Sequence, residues 1–85
     1  MSQASALAAS IANEALHHSG ARETATALEA ADGHIEVHFS VPGAPATEWC
    51  YWEYQVRTEL RLMAPYSPVL RDHPLTVVME HDRAA

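Results

Sequence analysis

Residues 3 to 18 repeat their apolar positions at intervals of three and four residues. This spacing, together with the high helix propensity of alanine, predicts an amphipathic α-helix. Ser2 or Ser5 is a suitable N-cap, and Gly20 predicts an end at Ser19 or Gly20. The residues on the apolar side are Ala4, Leu7, Ala8, Ile11, Ala15 and His18. Because few of them are large, we expect the helix to lie close to a sheet.

Residues 24 to 41 show the pattern of a β-hairpin. The Asp32-Gly33 step supplies the positive φ that tight hairpin turns need. After it, polar and apolar side chains alternate strictly, which is typical of a strand with one buried face. The inward positions are Ile35, Val37, Phe39 and Val41, and the outward ones are His34, Glu36, His38 and Ser40. The segment 42–45, with a proline at each end, ends the strand.

Residues 48 to 63 fit two different periods. Read as a strand, the apolar or β-branched residues occupy the even positions from Cys50 to Leu62, and only Trp49 and Tyr51 break the alternation. Read as a helix, one stripe holds Trp49, Trp52, Val56, Leu60 and Met63, but Glu53 and Glu59 interrupt it. Because aromatic and β-branched residues favour strands, we predict a strand and keep the helix as the alternative. A strand of this length requires a bulge, a bend or pairing beyond the monomer.

The last predicted strand runs from Leu75 to His81, after two breaks at residues 65–68 and 72–74. Its residues 75–79 carry no charge, so we expect an edge that needs cover. The elements predict one α+β domain over residues 1–85, with the helix packed on a four-stranded, mainly antiparallel sheet in the order α-β-β-β-β. If residues 48–63 form a helix, the order becomes α-β-β-α-β.

Charge and cysteine content exclude several classes of protein. The chain of 85 residues has 11 acidic side chains and 5 basic ones, a net charge of −6, which argues against nucleic-acid binding. No apolar run approaches the roughly 20 residues that span a bilayer, and the N-terminus lacks a signal-peptide pattern. The single cysteine, Cys50, excludes an intrachain disulfide and suits a cytoplasmic protein. In the strand phase Cys50 faces the core as a buried, inert thiol.

A row of potential metal ligands follows the outward side of the second hairpin strand. His34, Glu36 and His38 lie two residues apart, about 6.6 Å from one to the next. Imidazole and carboxylate groups are suitable ligands for a divalent metal, and Glu53 on the next strand is placed to complete such a site. The alternative interpretation is a solvated sheet face that happens to carry histidines. We expect no cofactor.

Four aromatic residues lie between positions 49 and 54. In the strand phase Trp52 and Tyr54 face the core, whereas Trp49 and Tyr51 stand on the polar face near Arg57. Exposed Trp, Tyr and Arg are enriched at binding hot spots, so we predict a protein interface there. Val78 marks a second interface position, on the uncharged last strand. The alternative is that a loop or the helix covers the aromatic residues.

No catalytic motif is present: the sequence has no phosphate-binding glycine loop, no nucleophile elbow and no zinc-binding spacing of His or Cys. We therefore expect a non-enzymatic interaction module, such as a small acidic adaptor, inhibitor or assembly subunit. Its partners would be another protein, a second copy of itself, or both. The first alternative is a small-molecule-binding protein or small enzyme subunit with a pocket between helix and sheet, using Tyr54, His38 or Glu36. The second is metal binding by the histidine row.

Overall fold

The computed structural model describes residues 2–80, which form two α-helices and a three-stranded sheet. The element order is α-β-β-α-β, as in the alternative kept above. In chain order the elements are α1 (Gln3–His18), β1 (Thr26–Glu29), β2 (Ile35–Phe39), α2 (Trp49–Met63) and β3 (Leu75–Met79). Short 3-10 turns at Ala46–Glu48 and Ala64–Tyr66 flank α2.

The ends of α1 are set by local hydrogen bonds, as the sequence predicted. The Ser2 hydroxyl accepts the Ser5 N–H at 3.0 Å, which satisfies a backbone donor that the first turn leaves free. At the other end Gly20 has a φ of +87°, a conformation that costs glycine little. The N–H groups of Gly20 and Ala21 donate back to His17 and Leu16, at 3.0 and 2.8 Å, and close the helix as a Schellman motif.

The sheet has the strand order β1-β2-β3, with β1 antiparallel and β3 parallel to β2. The predicted hairpin is confirmed, and Gly33 has a φ of +87° in its turn. The predicted four-stranded, mainly antiparallel sheet is wrong, because α2 replaces one of the four strands. This helix also returns the chain to the end of the sheet at which β2 begins, so β3 runs parallel to β2. Parallel neighbours need such a crossover. The last strand ends at Met79, and His81 of the predicted strand lies outside the described residues.

The predicted strand at residues 48–63 is wrong, because residues 49–63 form the helix α2. The strand-like alternation in the sequence arose because apolar side chains lie on both sides of this helix. Val56 and Leu60, one turn apart, are buried, whereas Tyr54 and Leu62 are exposed. The strand interpretation counted all four as one buried face. Glu53 lies beside the buried stripe rather than in it, so it does not interrupt the helix.

Both helices pack on the sheet face that carries Ile35, Val37 and Phe39. Small side chains in α1, including the fully buried Ala8 and Ala12, let it approach α2 and the sheet closely. The buried core includes Ile11, Ile35, Val37, Phe39, Val56, Leu60 and Met79, and the residues packed at its border include Leu7, Trp52, Leu75 and Val77. Tyr54 was placed in the core wrongly, because it lies on the outer side of α2. The opposite sheet face has no helix from residues 2–80 on it.

Candidate functional site

The four residues predicted to form an interface are divided between two elements, with Trp49, Tyr51 and Arg57 on α2 and Val78 on β3. Trp49 is half-buried against the core, and its indole N–H donates to the Ala44 carbonyl at 3.2 Å. Tyr51 and Arg57 lie on α2, and Val78 lies on the open face of the sheet. The predicted aromatic sheet face is therefore wrong, because Trp49 and Tyr51 belong to a helix that packs on the other side of the sheet.

Exposed apolar surface is nevertheless concentrated at α2. Within residues 2–80, seven large hydrophobic side chains are exposed, and five of them lie between positions 51 and 66. These five are Tyr51 (50% exposed), Tyr54 (64%), Leu62 (60%), Met63 (48%) and Tyr66 (87%). The other two, Leu28 and Val78, are on β1 and β3. Single exposed apolar residues need no explanation, but a row of them along one helix is a candidate binding surface.

Helix geometry places the exposed residues opposite the core. Residues two apart point about 200° away from each other, so Tyr54 points away from Val56, and Leu62 points away from Leu60. Tyr51, Tyr54, Thr58 and Leu62 follow one another at three- and four-residue spacing and therefore share a stripe. We name these four residues the outer face of α2. Tyr66 lies in the turn just beyond the helix.

This surface was missed at the sequence level, although a signal for it was present. The helical alternative placed Trp49, Val56 and Leu60 on one stripe. That phase leaves Tyr54 and Leu62 on the opposite side, unexplained by any core. An apolar residue left over once the core phase is chosen was the signal that pointed to an outer face.

The outer face is held by contacts on α2 itself. The Tyr51 ring meets the Trp52 ring edge-on, with the ring centroids 5.2 Å apart and the planes at 77°. Trp52 packs at the border of the core, so it gives Tyr51 a fixed support. On the flank, Arg57 Nη2 lies 2.7 Å from Glu53 Oε1 in an i,i+4 ion pair. Rings that are already ordered lose little conformational entropy when a partner covers them.

Cys50 lies beside this surface, one turn before Tyr54. It is exposed, so the prediction of a buried thiol on the core face is wrong. The cause is again the helical phase, which turns Cys50 away from the core side of α2. The position of Cys50 makes it a native attachment point for a reporter group next to the outer face.

The histidine row predicted as a metal site lies on the open face of the sheet, where His34 contacts β3 and His38 contacts Glu36 of the row itself. His34 Nε2 is hydrogen-bonded to the Thr76 hydroxyl on β3. His38 Nε2 lies 3.1 Å from Glu36 Oε1, and its Nδ1 lies 3.8 Å from Glu80 Oε1. Across residues 2–80, no three His, Cys, Asp or Glu side chains are arranged to hold a metal ion. Metal binding stays a prediction without structural support.

Two surface cavities formed by residues 2–80 do not use the groups predicted for a small-molecule site. One of about 560 Å³ lies beside the second half of α1, near Asn13, His17 and Glu23. Another of about 380 Å³ lies between the end of α1 and Trp52. Neither is lined by the three polar residues proposed for a pocket, which are Tyr54, His38 and Glu36. The small-molecule alternative therefore stays a prediction.

Comparison with known proteins adds no relative. In the part of the chain that the structure describes, neither helix is long and apolar enough to cross a membrane. No protein-family model matches the chain, and no curated protein or solved structure is significantly similar to it.

Proposed function

We propose that this chain is a non-enzymatic protein-interaction module that binds a partner protein through the outer face of α2. The observation that carries the proposal is the concentration of exposed apolar side chains on one helix whose other side is committed to the core. Val56 and Leu60 already explain why α2 packs on the sheet. They do not explain Tyr54 and Leu62, which stay in solvent unless another molecule covers them.

The residue types of the outer face suit a helix that is bound in a groove. A partner groove holds apolar anchors that recur along one side of a helix. Tyr51 and Tyr54 lie three residues apart, and Leu62 follows about two turns later on the same stripe. Tyrosine buries a large area at low entropic cost, and its hydroxyl finds a hydrogen-bond partner at the rim. The net charge of −6 favours a partner whose groove has a basic rim, mainly by accelerating encounter.

The expected energetics make the proposal measurable. Truncating a tyrosine at the centre of an interface typically costs about 2 kcal/mol or more, which is about a 30-fold rise in the dissociation constant. Tyr54 is the best candidate for such an anchor, because it is more exposed than Tyr51 and lies inside the stripe. A charge at Leu62 should be at least as damaging, since it would be buried in the complex without a partner.

The experiment compares two leucine-to-glutamate variants that differ only in surface. Leu62→Glu changes the outer face of α2, and Leu28→Glu is the matched control, an exposed leucine on β1. Each purified bait is incubated with extract of the native host, and recovered proteins are quantified by mass spectrometry. We expect at least one protein that is recovered by the wild type and by Leu28→Glu but lost with Leu62→Glu.

The interaction is then measured with the purified partner. A fluorophore on Cys50, which is exposed next to Tyr54, reports occupation of the outer face without an engineered cysteine. Tyr54→Ser should raise the dissociation constant about 30-fold while the far-UV circular dichroism stays unchanged. The proposal is contradicted if no recovered protein depends on Leu62, or if Leu28→Glu abolishes the same recovery.

A further inference from the structure

The third strand, β3, is an edge of the sheet without the usual protection. Among residues 2–80 it pairs with β2 on one side and with no strand on the other. Its five residues carry no charge, and Pro74 precedes the strand rather than interrupting it. The other edge, β1, is shorter and ends at the charged Glu29. Exposed edges normally carry charges, prolines or bulges that prevent pairing with another chain. Because β3 lacks these features within its five residues, it is suited to pair with another strand.

Hydrogen bonds at both ends of β3 show which backbone groups face away from the sheet. Ile35 N–H donates to the Pro74 carbonyl at 2.8 Å, and Glu80 N–H donates to the Phe39 carbonyl at 2.7 Å. Because backbone groups alternate in direction along a strand, even-numbered residues of β3 face β2. The N–H and C=O groups of Leu75, Val77 and Met79 therefore point outward, where no strand from residues 2–80 pairs with them.

We infer that β3 pairs antiparallel with β3 of a second copy of this chain, about a two-fold axis at Val77. Directly opposite residues of an antiparallel pair lie on the same face of the sheet, so only registers that match faces are allowed. Centring on Val77 gives the longest overlap of this kind. It places Leu75 opposite Met79 of the second copy, and Val77 opposite itself. Every outward N–H and C=O then has a partner, in about six new hydrogen bonds.

The side chains favour a second copy over an unrelated strand. On the helix-covered face, each of Leu75, Val77 and Met79 meets an apolar residue of the other copy. On the open face, Thr76 meets Val78, a β-branched pair that suits adjacent strands. Glu80 falls opposite Pro74, so no like charges are directly opposed. An unrelated strand would need apolar residues on the helix-covered face, suitable residues on the open face and no unfavourable charge opposite β3.

The size of the contact predicts its strength. Strand pairing over five residues buries less than the roughly 1,200 Å² of a standard complex, so we expect a dimer dissociation constant on the order of micromolar. The axis is perpendicular to the sheet, which leaves the helices of both copies on one side of a continuous sheet. This inference does not depend on the partner proposed for α2. Leu62→Glu should leave the dimer unchanged.

Register-specific disulfide trapping tests the pairing directly. The background variant is Cys50→Ser, which removes the exposed native thiol. In the proposed register the Cα atoms of the two copies of residue 77 lie about 5.5 Å apart, within the range that a disulfide bridges. The two copies of residue 78 are about 8 Å apart, outside that range. We expect Val77→Cys to form a covalent dimer in a glutathione buffer and Val78→Cys to form much less.

Sedimentation velocity on the full-length chain gives the second readout. The wild type should change from monomer to dimer as its concentration rises through the micromolar range. Thr76→Lys, an exposed substitution on β3, should raise the dimer dissociation constant at least tenfold. Thr26→Lys places the same charge on β1 and should have no effect. A wild type that stays monomeric at high micromolar concentration, or equal trapping at positions 77 and 78, overturns the inference.

Discussion

Replacing Leu60 and Leu62 separately by alanine tests whether residues 49–63 form the helix on which both the fold and the site depend. In a helix these two leucines point about 200° apart, whereas in a strand they share one face. In the structure Leu60 is 1% exposed and Leu62 is 60% exposed. The helix therefore predicts very different losses of stability for the same chemical change, and a strand predicts similar ones.

The magnitudes follow from burial. Removing a fully buried leucine side chain costs about 2–5 kcal/mol, from lost apolar burial and the cavity that remains. Leu62→Ala should change the free energy of unfolding by less than about 0.5 kcal/mol, as for other surface substitutions. Both changes alter helix propensity equally, so the difference of about 1.5 kcal/mol or more reports burial alone. A chain of 85 residues has a total stability of only about 4–13 kcal/mol.

The assay is urea unfolding at one fixed protein concentration, followed by far-UV circular dichroism and tryptophan fluorescence. Thermal midpoints give a second measure, and Leu60→Ala should lower the midpoint by at least about 8 °C. If Leu60→Ala does not fold, the milder variant Leu60→Met is measured in its place, since this swap usually costs less than about 1.5 kcal/mol. Equal losses for the two alanine variants, or a larger loss for Leu62→Ala, would refute the helical phase of α2.

Three further predictions concern single features of the structure. Asn13→Ala should cost about 1–3 kcal/mol in urea unfolding, because the Asn13 amide makes two hydrogen bonds to the backbone of buried Ala25, at 3.0 and 2.7 Å. Gly33→Ala should cost about 1–2 kcal/mol by the same assay, since φ is +87° there. Cys50 should react with one equivalent of maleimide in the native protein without denaturant; a thiol that is labelled only after unfolding would contradict its exposed position on α2.

The parts of the fold that were predictable from the sequence are those with local signals. The cap at Ser2 acts through a hydrogen bond of its side chain to the first turn, and the glycines after α1 and in the hairpin turn act through a positive φ. The alternation through Ile35 and Phe39 marks a strand with one buried face. None of these signals depends on which distant segment comes to lie nearby, and all of them are confirmed.

The second helix was not predictable in the same way, because its apolar residues serve two surfaces. A period is inferred by assuming that apolar positions are buried together. Val56 and Leu60 satisfy that assumption, but Tyr54 and Leu62 do not. When the two sets are combined, they imitate the alternation of a strand. Because the helix was not predicted, the parallel pairing of β3 with β2 was not predicted either, since only a crossover between the two strands makes it possible.

The same crossover explains why two surfaces are left uncovered. The crossover through α2 buries one side of that helix on the sheet and places β3 beside β2, so β3 is an edge of the sheet that residues 2–80 form. An uncharged edge and an apolar helix face are both costly in water for a small chain whose core is limited. Covering either one by binding stabilises the fold by mass action. Because the two surfaces are made by different residues, the proposed self-pairing at Val77 and the proposed partner binding at Tyr54 can be tested one at a time.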